Sequence, residues 1–135
     1  MTRRILALTI AASLAVTACG GTDTITEPLV ETVDAARFAE IIDEAANDLV
    51  ILDLRTPDEF NAGHIAGAVN IDYYETSFIS NLDALDKGVT YAIYCRSGNR
   101  SDDTRGIMQG LGFTNISELG NGVVTWYEAG LPLTG

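Results

Sequence analysis

The sequence predicts one α/β domain whose central sheet is mainly parallel and is flanked by helices on both faces. Apolar segments of strand length alternate along the chain with segments of helical periodicity, the order that builds a parallel sheet. One strand segment, residues 49–54 (LVILDL), is almost continuously apolar, as expected for a central strand covered on both sides. A chain of 135 residues is long enough to bury one such core.

The elements follow one another from residue 29. Asp34 is placed to cap the first helix, because its side chain can accept a hydrogen bond from the first turn. Thr56 and Pro57 open a short second helix. The predicted strands are 29–33, 49–54, 90–94 and 115–119, and the other predicted helices are 35–47, 78–85, 101–111 and 123–129. The first of these helices has Ala35, Phe38, Ala39, Ile42 and Ala46 on one face.

Residues 1–18 have the pattern of a secretory signal peptide. Arg3 and Arg4 precede an apolar segment, residues 5–16, that is too short to span a membrane well. Residues 16–19 (VTAC) resemble the lipobox of bacterial lipoproteins, which implies that Cys19 is acylated and becomes the mature N-terminus. We therefore expect an exported protein, anchored by lipid to a bacterial membrane, with its domain in the periplasm or at the cell exterior. A simple signal peptide with an incidental cysteine is the alternative.

The composition of the chain excludes several function classes. With 19 Asp and Glu against 8 Lys and Arg, the formal charge is -11, which argues against nucleic acid and against electrostatic docking on anionic lipid. One histidine and two cysteines cannot build a zinc site, and no cofactor is implied. If Cys19 is acylated, Cys95 has no partner for a disulfide. A Cys19–Cys95 disulfide, the alternative, requires that the lipobox fails.

The most informative stretch is the strand at 90–94, which runs directly into Cys95 and a short polar loop. After the loop, residues Thr104, Ile107, Met108 and Leu111 have the i, i+3, i+4, i+7 spacing of one helical face. A loop that feeds a helix N-terminus turns backbone N–H groups toward one point and adds partial positive charge there. We expect such a site to favour the nucleophilic thiolate of Cys95.

Two segments resemble rhodanese-type sulfurtransferases. Residues 95–101 (CRSGNRS) resemble the active-site loop of that family. Residues 53–71 resemble its other signature, D-x-R followed by E-F (Glu59 and Phe60) and then by G-H-I-x-G-A-x-N-I. The G-x-x-x-W ending at Trp126 and the following G-x-P also fit. The resemblance covers residues 29–135, which we treat as the folded domain, with residues 19–28 as the lipidated cysteine and a flexible tether.

The resemblance implies a mechanism and a role for each residue. Cys95 takes a sulfane sulfur from a small anionic donor, becomes a persulfide, and passes the sulfur to a thiol or to cyanide. Asp53 and Arg55 are expected to be a framework pair, and His64 a structural group that ties a turn to backbone. The loop that holds the sulfur anion comprises Arg96, Ser97, Gly98, Asn99, Arg100 and Ser101, with the two arginine side chains steering the donor. One small domain that carries all these motifs favours a monomer.

Other functions fit less well. Cysteine phosphatases use C-x5-R, and here Ser101 stands where the arginine is needed. A non-catalytic binding module and a thiol redox sensor remain alternatives, although the first usually lacks the cysteine and the second lacks a resolving thiol.

Asp102 and Asp103 suit the helix dipole but partly oppose the positive field at Cys95. We therefore expect that replacing both with Asn lowers the KM for thiosulfate.

Overall fold

The computed structural model describes residues 27–45 and 47–135. The predicted signal peptide, Cys19 and most of the predicted tether lie outside the described residues, as does Ala46 of the predicted first helix. The described part of the chain contains no helix that is both long enough and apolar enough to cross a membrane.

The chain folds into five strands and five helices within the described residues, in strict alternation. They are β1 (Leu29–Val33), α1 (Ala35–Glu44), β2 (Leu49–Asp53), α2 (Pro57–Asn61), β3 (Val69–Asn70), α3 (Phe78–Asp83), β4 (Thr90–Tyr94), α4 (Asn99–Gly110), β5 (Asn115–Leu119) and α5 (Gly122–Glu128). All strand pairs are parallel, and the sheet order is β1-β5-β4-β2-β3. This confirms the predicted α/β class and makes β4, the strand before Cys95, the centre of the sheet.

The two faces of the sheet carry separate apolar clusters, because alternate residues of a strand point to opposite sides. From β4, Tyr91 and Ile93 pack on one face with Met108 of α4 and with α3. Ala92 and Tyr94 pack on the other face, with Phe38 of α1 and Trp126 of α5. Every one of these side chains is buried, so β4 is covered on both sides. The strand therefore holds Cys95 on a rigid base.

Several predicted boundaries were wrong, and one strand was not predicted. Besides the two helices discussed next, β2, α3 and α5 end one or two residues before their predicted ends. Helix α1 ends at Glu44 instead of continuing to 47, because the chain turns there and the N–H of Asp48 donates to the carbonyl of Ala45. Helix α4 begins at Asn99, two residues before the predicted start, since the N–H of Asp102 already bonds the carbonyl of Gly98 at 2.9 Å. The two-residue strand β3 was not predicted, because so short a segment carries no period of its own.

Candidate active site

Cys95 lies directly after β4, at the carboxyl edge of the sheet, and is 1% exposed. In open α/β sheets this edge is where ligands bind, because loops and helix N-termini gather there. The carbonyl of Tyr94, the residue before the cysteine, accepts from the N–H of Leu54, so the strand is paired up to its last residue. The position of the sulfur is thus fixed by the most buried strand of the fold.

The loop between β4 and α4 is only residues 95–98, and it turns one backbone amide onto the sulfur. The N–H of Gly98 donates to Cys95 Sγ at 3.1 Å. Gly98 has a φ of 101°, in the region that favours glycine, and a Cβ there would lie 3.2 Å from the backbone nitrogen of Asn121. The amide and the N-terminus of α4 together place positive partial charge beside the sulfur.

Helix α5 fixes the orientation of the same loop from the other side. The N–H groups of Val123 and Val124 donate to the carbonyls of Cys95 and Arg96, at 2.9 and 3.3 Å. Because the C=O and N–H of a trans peptide point in opposite directions, the amides of Arg96 and Ser97 point away from α5. Gly122 permits this approach: its φ is 66°, and a Cβ would lie 2.4 Å from the carbonyl oxygen of Arg96.

The buried carboxylate of Glu118 is connected to the cysteine sulfur through the hydroxyl of Ser101. Cys95 Sγ donates to Ser101 Oγ at 3.5 Å, and Ser101 Oγ donates to Glu118 Oε1 at 2.8 Å. Glu118, on β5, is 2% exposed, and its Oε2 accepts from Thr32 Oγ1 at 3.0 Å and from Arg105 Nε at 2.9 Å. The sequence analysis missed Glu118. The signal available was a single acid in a short strand that carries no other charged residue.

Arg100, which is predicted to steer the donor, is engaged by a carboxylate in the structure, and its steering role stays a prediction. Its guanidinium makes a two-point ion pair with Glu59, at 2.8 and 2.9 Å, and lies 5.5 Å from the ring centroid of Tyr74. The hydrogen bonds from Arg100 lower the pKa of Glu59 to about 2, and the same bonds raise the pKa of Arg100. Glu59 is also part of a capping box with Thr56, and in the sequence it belongs to the E-F pair of the family signature.

Arg96 is the one unpaired cation in the described part of the chain. Its side chain is exposed, as are those of Ser97 and Asn99. The other described basic side chains, namely Arg37, Arg55, Lys87, Arg100 and Arg105, each form an ion pair with a carboxylate. Arg96 is therefore the described basic side chain whose positive charge no carboxylate offsets.

Asp53 and Arg55 form a buried ion pair beneath the site. Arg55 Nη2 lies 2.6 Å from Asp53 Oδ2 and donates to the carbonyl of Gly63 at 2.7 Å, and the hydroxyl of Tyr94 donates to the same Asp53 oxygen at 2.6 Å. Burial, followed by the charge of Asp53, raises the pKa of Tyr94. Asn70 donates to the carbonyls of both Asp53 and Arg55. These bonds join the ends of β2, β3 and β4 into one frame.

His64 is engaged by backbone rather than by the cysteine loop. Its Nδ1 lies 3.0 Å from the carbonyl oxygen of Phe60, which only accepts, so this nitrogen carries the proton. The imidazole stacks on the Phe60 ring with centroids 3.7 Å apart, and the backbone of His64 pairs with that of Thr134. The residue thus ties the turn after α2 to the C-terminal segment.

The two acids at the start of α4 are engaged as well. Asp102 pairs with Arg105, and Asp103 accepts a hydrogen bond of 2.6 Å from the hydroxyl of Tyr73. Their effect on thiosulfate binding stays a prediction. In the described part of the chain, no three or more His, Cys, Asp or Glu side chains are grouped so as to hold a metal.

Comparison with known proteins shows which family shares this architecture. The family profile of the rhodanese-like domain matches residues 34–129. The chain is 31% identical over 102 residues to thiosulfate sulfurtransferase 16, chloroplastic, of Arabidopsis thaliana, covering 64% of this chain and 85% of that protein. It is 34% identical over 82 residues to thiosulfate sulfurtransferase GlpE of Pseudomonas entomophila, covering 60% and 72%.

Among solved structures, the crystal structure of a rhodanese-related protein from Thermoplasma volcanium superposes with a TM-score of 0.67 at 28% identity. The match covers 78% of this chain and 98% of that one. Fold, profile and relatives agree, and the chain belongs to the rhodanese-like family.

Proposed function

We propose that this protein is a sulfurtransferase that carries a sulfane sulfur as a persulfide on Cys95 and delivers it to a thiol or to cyanide. The observation that carries the proposal is Cys95 Sγ itself, held at the carboxyl end of the central strand with the Gly98 amide 3.1 Å away. The relatives named thiosulfate sulfurtransferases support it.

In the first half-reaction, the Cys95 thiolate attacks the outer sulfur of a donor such as thiosulfate. A bond forms between Cys95 Sγ and that sulfur, the S–S bond of thiosulfate breaks, and its electron pair leaves with sulfite. The negative charge then lies on the outer sulfur of the persulfide. An N–H group that donates to the sulfur, with the helix N-terminus behind it, stabilises a charge of this kind.

In the second half-reaction, an acceptor attacks the outer sulfur of the persulfide. With cyanide, a carbon–sulfur bond forms, the persulfide bond breaks, and thiocyanate leaves the Cys95 thiolate as it was at the start. No electrons are gained or lost overall, so the cycle needs neither a redox partner nor a second cysteine.

The proposal includes the location of the protein. We expect residues 1–18 to be removed and Cys19 to be acylated, so that the domain works on the outer side of a bacterial membrane. The charged start, the apolar segment and the VTAC sequence support this expectation. Labelling with a radioactive fatty acid in a bacterial host tests it, and label that persists in Cys19→Ala would contradict it.

The test of the enzymatic proposal uses the full chain with Cys19→Ala, in which Cys95 is the only thiol. Thiosulfate is the donor and cyanide the acceptor, and mass spectrometry follows the gain of one sulfur atom on Cys95. Thiocyanate formation that disappears in Cys95→Ser is the expected result. If Cys95 accepts no sulfur from thiosulfate, a thiosulfonate or polysulfide, a non-catalytic binding module or a redox sensor becomes the better account.

A further inference from the structure

The Ser101 hydroxyl has more acceptors around it than it has protons to donate. Its Oγ lies 2.8 Å from Glu118 Oε1, 3.1 Å from the carbonyl oxygen of Gly98 and 3.5 Å from Cys95 Sγ. A carbonyl oxygen and an ionised carboxylate can only accept hydrogen bonds, and a hydroxyl has a single proton. That proton is therefore directed toward Glu118 and Gly98, and the sulfur faces the lone pairs of the Ser101 oxygen.

The hydrogen bonds around Glu118 keep its carboxylate ionised. Besides the bond from Ser101, its Oε2 accepts from Thr32 Oγ1 at 3.0 Å and from Arg105 Nε at 2.9 Å. The residue is 2% exposed, and a buried carboxylate keeps its charge when such donors and a cation replace the lost water. Glu118 is therefore a permanent acceptor for the Ser101 hydroxyl.

This arrangement suits the thiol of Cys95 better than its thiolate. The S–H group can donate to a lone pair of Ser101 Oγ, whereas a thiolate at the same place faces that lone pair and receives no hydrogen bond from it. The N–H of Gly98 donates to the same sulfur at 3.1 Å and favours the charge. One neighbour of the sulfur thus supports the thiolate, and another opposes it.

Most other charged groups on the elements around the cysteine are engaged by partners of their own. They are Asp53 with Arg55, Glu59 with Arg100, Asp102 with Arg105, and Asp103 with its hydrogen bond from Tyr73. Arg96 has no carboxylate partner among the described residues, but its side chain is exposed. The hydroxyl that Glu118 holds is therefore the polar side chain in direct contact with the sulfur.

We propose that Glu118 is a positioning residue that, by holding the Ser101 hydroxyl, keeps the empty site in the form of the protonated thiol. Its charge acts in the same direction, because a nearby negative charge disfavours a thiolate. When the thiol ionises, its proton goes to solvent and the electron pair stays on Cys95 Sγ. In the persulfide the charge lies on the outer sulfur, so the restraint acts mainly before loading. A resting thiol is also less open to oxidation than a thiolate.

Glu118→Gln tests the proposal because an amide has one end that accepts and one that donates. Arg105 Nε only donates, so we expect the amide oxygen to face Arg105 and the amide nitrogen to face Ser101. The Ser101 oxygen then accepts from the amide, and its proton is released to bond the sulfur. A hydrogen bond to a charged group predicts roughly tenfold more thiolate, at a pH where the wild-type thiol is mostly protonated.

The ultraviolet absorbance of the thiolate, followed against pH on the Cys19→Ala full chain, measures the ionised fraction of Cys95 without a reagent. The same chain with Cys95→Ser supplies the background. Ser101→Ala is a second variant, and it removes little volume. Because it takes away the lone pair that faces the sulfur, the thiolate fraction should rise about twofold. If Ser101 instead donated to the thiolate, this variant would lower the fraction.

Asp102→Asn is the matched control. Asp102 pairs with Arg105, the same arginine that bonds Glu118, but its carboxylate is 67% exposed and bonds that arginine rather than Ser101. Its replacement should change the thiolate fraction by less than about twofold. A rise as large as in Glu118→Gln would overturn the inference, because the loss of any nearby negative charge would then be sufficient.

The remaining outcomes separate the inference from the proposed function, on which only its effect on sulfur loading rests. An unchanged thiolate fraction in folded Glu118→Gln overturns the inference, and so does a lower fraction in Ser101→Ala. If Glu118→Gln does not fold, the sign of the change in Ser101→Ala decides alone. Single-turnover loading by thiosulfate is measured on the same proteins. Thiolate fractions that change as expected, in a chain whose Cys95 no donor loads, support the inference and overturn the sulfurtransferase.

Discussion

The ion pair between Glu59 and Arg100 provides the sharpest test of the charge arrangement at this site. We consider Glu59→Gln, which keeps an oxygen for the N-cap hydrogen bond to Thr56 but removes the negative charge. The change leaves Arg100 without a carboxylate: the Gln oxygen can still accept from Arg100 Nη1, but the amide nitrogen replaces the oxygen that accepts from Nη2, so one of the two hydrogen bonds is lost. It should therefore alter the stability of the fold and, separately, the number of free cations near Cys95.

The expected loss of stability follows from the pKa of Glu59. The ion pair lowers this pKa from its ordinary value of 4.5 to about 2. At about 1.4 kcal/mol per pKa unit, the upper limit of the contribution is about 3 kcal/mol. The side chain of Arg100 remains 14% exposed and that of Glu59 28%, so solvent screens the pair. We expect Glu59→Gln to lower the free energy of unfolding by about 1–2 kcal/mol at pH 7.

The pH dependence of that loss has a definite sign. The pKa of Glu59 is lower in the folded protein than in the unfolded chain, so its contribution is fully present above pH 4.5 and is lost as the pH falls toward 2. Urea unfolding of both proteins between pH 3 and pH 7 measures the difference. We expect the difference to be constant above about pH 5.5 and to fall to less than half by pH 3.

The control for this series is Glu40→Gln. Glu40 pairs with Arg37 on the exposed face of α1, where the two side chains are 62% and 47% exposed, and no measurable change is expected. A difference between wild type and Glu59→Gln that is equally large at pH 3 and pH 7 would refute the electrostatic account. It would mean that packing rather than charge is lost.

The same variant should affect donor binding. With Glu59 neutral, Arg100 joins Arg96 as a free cation, and the KM for dianionic thiosulfate should fall about two- to fivefold, in line with the strength of a partly exposed charge pair. The KM for monoanionic methanethiosulfonate should fall less. An unchanged thiosulfate KM in a folded variant would show that the charge of Arg100 does not reach the donor.

Three further variants test the frame around the site. Gly122→Ala should lower the free energy of unfolding by more than about 2 kcal/mol and reduce sulfur transfer. The new Cβ would lie 2.4 Å from the Arg96 carbonyl oxygen, at a φ of 66° that disfavours alanine. Stability within about 0.5 kcal/mol of wild type would contradict this expectation. Asp53→Asn leaves the buried Arg55 without a carboxylate and should cost about 3–5 kcal/mol in urea unfolding, a loss that added Arg55→Met should partly restore. His64→Gln should lower the melting temperature but keep kcat, whereas a hundredfold loss of kcat in a folded variant would indicate general acid–base catalysis.

Local patterns account for how much of the fold could be predicted. Strands β1, β4 and β5 have the predicted bounds, because each is a short segment with apolar residues between clear turn or helix signals. The start of α4 was misplaced, since its first turn contains Asn99 and Arg100, polar residues that have no apolar period. Only the backbone conformation at Gly98 shows that the helix has already begun there.

For the candidate site, the sequence by itself determined the setting of the proposed nucleophile: Cys95 follows a buried strand and precedes a helix, and both features are local. What only the tertiary structure decided is which charges remain free. Arg100 is neutralised by Glu59, 41 positions earlier in the chain, and Ser101 is engaged by Glu118, 17 positions later. Such partners are set by the packing of α2 and β5 beside the cysteine loop, and their spacing along the chain carries no sign of it. Arg96 is consequently left as the single unpaired cation of the described residues.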